Sequence, residues 1–188
     1  MAEVNGREFL GLIKHIKESR GADFLKEVLD QAGEVNRKIF SKRVLALGWY
    51  PYQGYVDLIR AIAKKMGNGD PAYFRKLGEV AASLDLGSFL NVYKISGGPE
   101  ELIQAAGMVW PGYYRNAGKM EVNSSQPENT VIRILDFPEM DPAHCRLMEG
   151  WITAAMVILG GKMVSPARET MCMSKGDSCH EFTFTWTA

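Results

Sequence analysis

The chain has 188 residues, 46% of them hydrophobic, and its 22 Lys and Arg balance 22 Asp and Glu. This composition supports a buried core and excludes a disordered chain. The even charge leaves no long-range field to recruit nucleic acid or an anionic membrane, and no apolar run approaches the roughly 18–20 residues of a spanning helix.

One domain over residues 1–188 is expected at this length, with 1–98 mostly helical and 99–188 mixed. The opening residues carry neither a charged lead nor an apolar signal core, so the expected setting is cytoplasmic. Residues 6–19 predict an amphipathic helix with Phe9, Leu10, Ile13 and Ile16 on one side. Gly21 closes it, and His15, among lysines, is expected to face solvent. A short second helix runs from Ala22 to Ala32, with Phe24, Leu25, Val28 and Leu29 inward and Gly33 at its end. Trp49-Tyr50-Pro51-Tyr52 then leads into a helix that buries Tyr55, Leu58, Ile59, Ile62 and Met66, with Pro51 suited to its first position. Gly67-Asn68-Gly69 breaks the chain and Asp70-Pro71 restarts it. The next stripe is Phe74, Leu77, Val80, Ala81 and Leu84, where Gly78 suits close helix packing. It continues through Phe89, Leu90, Val92 and Ile95 to Gly97-Gly98. Pro99-Glu100-Glu101 opens another helix with acids in its first turn.

Gly97-Gly98-Pro99 lacks phosphate-loop spacing, and there is no G-x-S-x-G elbow, H-E-x-x-H or dinucleotide glycine pattern. No enzyme is predicted. Met108 to Arg115 is dense in aromatics, and two readings stand open for Trp110, Tyr113 and Tyr114, together with Trp151. They line a small-molecule pocket, with hydroxyls and indole N–H as orienting groups, or they are core packing between helix and sheet.

Residues 119–124 and 129–137 predict two strands. Asp141-Pro142 opens a helix whose stripe is Leu147, Met148, Trp151, Ile152, Ala155, Met156 and Leu159, stopped by Gly160-Gly161. Two further strands, 162–173 and 178–186, flank a turn at 174–177. The order β-β-α-β-β after a helical half, without β-α-β-α alternation, predicts an α+β fold with a largely antiparallel sheet.

All three cysteines lie in this last stretch. A loop at 174–177 sets Cys172 opposite Cys179, with Cβ atoms roughly 4.5–5.5 Å apart on one face. Cys145, in the first turn of the helix, reaches the same end of the sheet. Glu169 is a fourth ligand if the strand bulges near Thr170; His180 or His144 is the alternative. Zinc accepts such a shell. Unreactive buried thiols and a Cys172–Cys179 disulfide are the competing readings, the second weakened by the absence of any sign of an oxidising compartment. His144 and Cys145 are adjacent on a helix and point apart, so they are not a base–nucleophile pair.

The order of a helix Cys145, Gly150-Trp151, Gly160, Glu169, Cys172, Gly176-Asp177 and Cys179, ending in alternating aromatics, resembles the 4-vinyl reductase domain. That domain belongs to the superfamily of haem NO-binding sensors and small TRAPP vesicle-tethering subunits. The match is close over the final third and is one of helix order elsewhere. The resemblance implies a structural zinc held by Cys145, Glu169, Cys172 and Cys179. Haem-binding relatives use a proximal His and a Y-x-S-x-R motif whose spacing Tyr113-Tyr114-Arg115 lacks, so haem is not expected. The expected function is a sensor or regulatory domain for a small hydrophobic or aromatic molecule, homodimeric, signalling through a protein partner. The alternatives are a dimeric scaffold like the TRAPP subunits and an accessory protein in tetrapyrrole vinyl reduction.

Overall fold

Asn5 starts the first helix, α1 (Gly6–Arg20), by accepting the Arg7 amide hydrogen on its side chain at 3.1 Å. Helices α2 (Ala22–Gln31), α3 (Gly33–Phe40), α4 (Tyr52–Met66), α5 (Tyr73–Tyr93) and α6 (Pro99–Tyr113) follow, and α7 (Pro142–Ile158) crosses the C-terminal half. The computed structural model describes the backbone of residues 1–93 and 98–187, with side chains for all of these except 85 and 88–93. The expected inward positions Phe89, Leu90, Val92 and Ile95 lie outside the described side chains. On α1 the buried side is Phe9, Leu12 and Ile16 rather than Leu10, and His15 is half-buried rather than solvent-facing.

The main sheet is built from β4 (Lys119–Gln126), β5 (Asn129–Leu135), β6 (Lys162–Met171) and β7 (His180–Thr187), in the order β4-β5-β7-β6. All its pairings are antiparallel, so the α+β architecture and the β-β-α-β-β order match the sequence expectation. A second sheet was not anticipated. It joins β1 (Glu3–Asn5), β2 (Trp49–Pro51) and β3 (Tyr114–Arg115) in the order β2-β1-β3. Strands of two and three residues are too short to show a period-2 pattern. Val4 nevertheless pairs with both Tyr50 and Tyr114, which ties the chain start to the segments just before α4 and just after α6.

The main core runs from Ala2 to Trp186 and contains Phe9, Tyr55, Phe137, Phe182 and Phe184, each almost fully buried. Along β7 the inward side is His180, Phe182, Phe184 and Trp186, the alternation a half-buried strand imposes. Helices α5 and α7 meet at two glycines. A Cβ on Gly78 would sit 2.0 Å from the Leu147 carbonyl oxygen, and one on Gly150 would sit 1.9 Å from that of Arg75. Backbone therefore touches backbone at this crossing. Among the described residues, no helix is long and apolar enough to cross a membrane.

Candidate functional site

Three of the four residues expected to bind metal come together, and the fourth is exchanged for its neighbour. Cys145, Glu169, Cys172 and His180 place one ligand atom each within 4.8 Å of all the others. Cys179 does not join them. Its sulfur lies 4.0 Å from that of Met171. The reason is register. Met171 pairs with Glu181, so the next step along the ladder sets Cys172 level with His180, not Cys179. The connection is longer than the expected 174–177 turn: Met173–Lys175 form a 3-10 turn, Gly176 adopts φ 98°, and the Cys172 amide donates to Asp177 Oδ2 at 2.7 Å. A slip of one residue moves a side chain to the other face.

The bulge that Glu169 required is present, since the β6–β7 register shifts between Glu169 and Met171 and again between Ser165 and Arg168. Helix α7 accepts the amides left over at these breaks. The Glu169 N–H donates to Glu149 Oε1 at 2.9 Å, and the Ala167 N–H donates to Thr153 Oγ1 at 3.0 Å. Buried amides need such partners, and the side chains of α7 thereby set the face that Glu169 presents.

Cys145 is delivered by the start of α7. Asp141 caps this helix by accepting the Ala143 amide hydrogen at 2.8 Å, Pro142 fills its first position, and Arg60 holds the Asp141 carboxylate with two bonds of 2.8 and 2.9 Å. His180 Nε2 donates to the Phe137 carbonyl at 3.2 Å, which directs Nδ1 at Glu169 Oε1 (3.2 Å) and Cys145 Sγ (3.4 Å). Burial raises the Glu169 carboxyl, but hydrogen bonds from His180, Cys145 and Cys172 outweigh it and hold the group below the ordinary range. Burial, with the Glu169 carboxylate beside it, pushes the Cys145 thiol far up. An imidazole nitrogen facing a carboxyl oxygen pairs with it through a hydrogen on one of the two atoms or through a shared cation.

A second buried polar group adjoins the cluster. The Asp141 amide donates to the Tyr52 hydroxyl at 3.0 Å, so the Tyr52 proton goes to His144 Nδ1 at 3.0 Å. That leaves His144 Nε2–H to donate to the Tyr114 hydroxyl at 3.0 Å. Burial lowers His144 to about 3, helped by the nearby His180, and the ring is neutral. Sequence reading missed this trio because its bonds span 92 and 30 residues.

The aromatic candidates Trp110, Tyr113, Tyr114 and Trp151 all border one cavity of about 80 Å³ between α6, α7 and the main sheet. Ile132, Met148 and Phe184 complete much of its wall, and Glu8 is its acidic member. Trp110 stacks on Tyr114 with ring centroids 4.2 Å apart and donates its indole N–H to the Ala117 carbonyl at 3.0 Å, which fixes that side of the wall.

No protein-family model matches the chain, and no curated protein matches it. Solved structures of H-NOX proteins do share the fold. A triple mutant of an H-NOX protein from S. oneidensis in the Fe(II) ligation state aligns with TM-score 0.73 and 12% identity, covering 98% of this chain and 96% of that one. An oxygen-binding H-NOX domain related to soluble guanylate cyclases, in its oxygen complex, gives TM-score 0.69 at 10% identity, covering 98% and 95%. A further H-NOX structure, concerned with haem distortion, gives TM-score 0.70 at 10% identity with the same coverage, 98% and 95%. The likeness establishes the fold, which this chain shares with the H-NOX structures.

This finding corrects the expectation of a structural zinc. The solved neighbours of the fold are haem proteins, and within this chain Cys179, one of the four expected ligands, stands outside the cluster that the other three form. The residues here do not fit a histidine-ligated haem either. The chain has three histidines, and none is among the residues that border the cavity. His144 has both ring nitrogens engaged by tyrosines, and His180 belongs to the thiol cluster.

Proposed function

We propose that the chain is a small-molecule sensor domain, one folding unit over residues 1–188, rather than an enzyme. It takes a small apolar molecule into the cavity bordered by Trp110, Tyr114 and Trp151 and passes the signal to a protein partner. The observation that carries this reading is that cavity, whose wall is almost wholly apolar and aromatic. The oxygen complex of an H-NOX domain of the same fold supports the same class of use. The 4-vinyl reductase resemblance, a homodimer formed through the helical half and a cytoplasmic setting belong to the same proposal. Three buried free cysteines agree with the last.

Size limits the ligand. A hole of about 150 Å³ takes up benzene, so the 80 Å³ here admits only a few heavy atoms unless the wall gives. Tyr113, Met120 and Trp151 are half-buried members of the wall, on its solvent side. A screen of small apolar and aromatic compounds, read by Trp fluorescence and thermal shift, should find binders. Ala106→Phe, which fills the cavity from α6, should abolish their effect while the protein stays folded. Binding that survives Ala106→Phe would place the ligand elsewhere. Light scattering checks the assembly, and a monomer at all concentrations removes the homodimer.

The convergence of two thiols, a carboxylate and an imidazole favours a second, separate role: the cluster of Cys145, Glu169, Cys172 and His180 holds a soft cation. Elemental analysis of the purified protein, with Cys172→Ser alongside, is the check. The parent should carry close to one equivalent of a transition-metal ion and lose thermal stability on chelation, and Cys172→Ser should do neither. An equal metal content in both proteins would place any bound ion outside this cluster.

A further inference from the structure

Glu149 is fully buried on α7, yet three guanidinium groups share its single carboxylate. Arg75 Nε from α5 lies 2.5 Å from Oε2, Arg146 Nη1 from the preceding turn of α7 lies 2.5 Å from Oε1, and Arg168 Nη1 from β6 lies 4.0 Å from Oε2. Among the described residues, none of these arginines pairs with another carboxylate within 4.0 Å. Three positive charges therefore face one negative charge. Glu149 Oε1 also accepts the Glu169 amide, so the carboxylate has little capacity left for the guanidiniums around it.

The three arginine side chains are 33%, 31% and 51% exposed, so each reaches solvent in part while it faces Glu149. Each guanidinium carries five donors in a fixed fork, and Glu149 engages only a few of the fifteen or so they offer together. Like charges held this close repel one another in a partly desolvated setting, and a dianion relieves the repulsion. Arginine forks match the oxygens of phosphate in spacing and direction.

We propose that Arg75, Arg146 and Arg168, set in place by Glu149, form a binding site for a phosphate-type oxyanion, either free or as a phosphomonoester. The site draws on α5, α7 and β6 and does not share the apolar cavity. Glu149 is its positioning residue, and Arg168, whose Nη1 donates to the Ala167 carbonyl at 3.1 Å, is the most exposed of its arms.

Binding is tested on the full chain with inorganic phosphate, by calorimetry and by thermal shift against chloride at matched ionic strength. Phosphate should bind and raise the melting temperature beyond the chloride control. Arg168→Gln, at the exposed arm, should keep the fold and weaken phosphate about tenfold, the loss of one charge-assisted contact. Glu149→Gln gives a sign that a purely structural cluster cannot. It removes the one negative charge, so the variant should melt lower than the parent without phosphate, gain a larger shift from it and bind it more tightly. If that variant does not fold, Arg168→Gln decides alone. Equal shifts from phosphate and chloride in the parent, or an Arg168→Gln protein that binds phosphate as the parent does, overturns the proposal. Tighter binding of a simple phosphomonoester than of inorganic phosphate assigns the site to an esterified ligand; the reverse assigns it to the free ion.

Discussion

Gly150→Ala is expected to destabilise the protein by about 3 kcal/mol or more, at the upper end of what overpacking costs. The added Cβ would lie 1.9 Å from the Arg75 carbonyl oxygen and 2.7 Å from its carbon. These are backbone atoms of α5 and have no rotamer into which to withdraw. The helices must separate, and Gly78 makes the same demand from the other side, 2.0 Å from the Leu147 carbonyl oxygen. Alanine gains about 1 kcal/mol over glycine in helix propensity, too little to offset a forced separation. Gly87→Ala, on α5, is the control with the opposite sign. Among the described residues nothing lies within 4 Å of a Cβ there, so that change should stabilise by up to about 1 kcal/mol. Urea unfolding of the three proteins checks the pair; equal behaviour at positions 87 and 150 would mean the two helices do not touch as described.

Acid sensitivity is the second large effect, and it belongs to His144. Its folded value is about 3, set by burial and then by His180, against about 6.5 in an unfolded chain. Between those values the unfolded chain binds a proton that the folded protein refuses. The contribution is therefore complete above about pH 6.5 and is lost as the pH falls, at about 1.4 kcal/mol per unit, or about 3 kcal/mol by pH 4. His144→Leu should flatten this slope. It should also cost about 1–3 kcal/mol at neutral pH, because the Tyr52 and Tyr114 hydroxyls lose their ring partner in a buried place. Denaturant titrations of both proteins from pH 4 to 7 give the comparison; parallel slopes would show that His144 is not the group responsible.

The helical half and the β-β-α-β-β order were legible because their signals are local: Asp141-Pro142 at a helix start, glycines at helix ends, a β-branched run through Thr130 and Val131. What failed was one step of register. The expected turn at 174–177 put Cys179 beside Cys172, whereas the 3-10 turn and the Asp177 side chain shift the return strand by one residue. A stronger signal was present. Phe182, Phe184 and Trp186 already mark the inward side of the last strand, and counting back by two reaches His180, not Cys179. The three-arginine cluster around Glu149 was beyond sequence reading, since Arg75 and Glu149 are 74 positions apart and only the α5–α7 crossing brings them together. The cavity residues Trp110, Tyr113, Tyr114 and Trp151 were named from aromatic density alone. That they border one space follows from α6, β3 and α7 all contributing to the same wall.

Cys145 rides on the same rigid rod as Met148 and Trp151, so a single helix borders both the thiol cluster and the cavity. A guest that pushes this rod by even a fraction of an ångström alters the 3.4 Å gap between the Cys145 sulfur and the His180 ring. Any displacement of the wall at Met148 or Trp151 is therefore carried by the same backbone to the fully buried Cys145 sulfur.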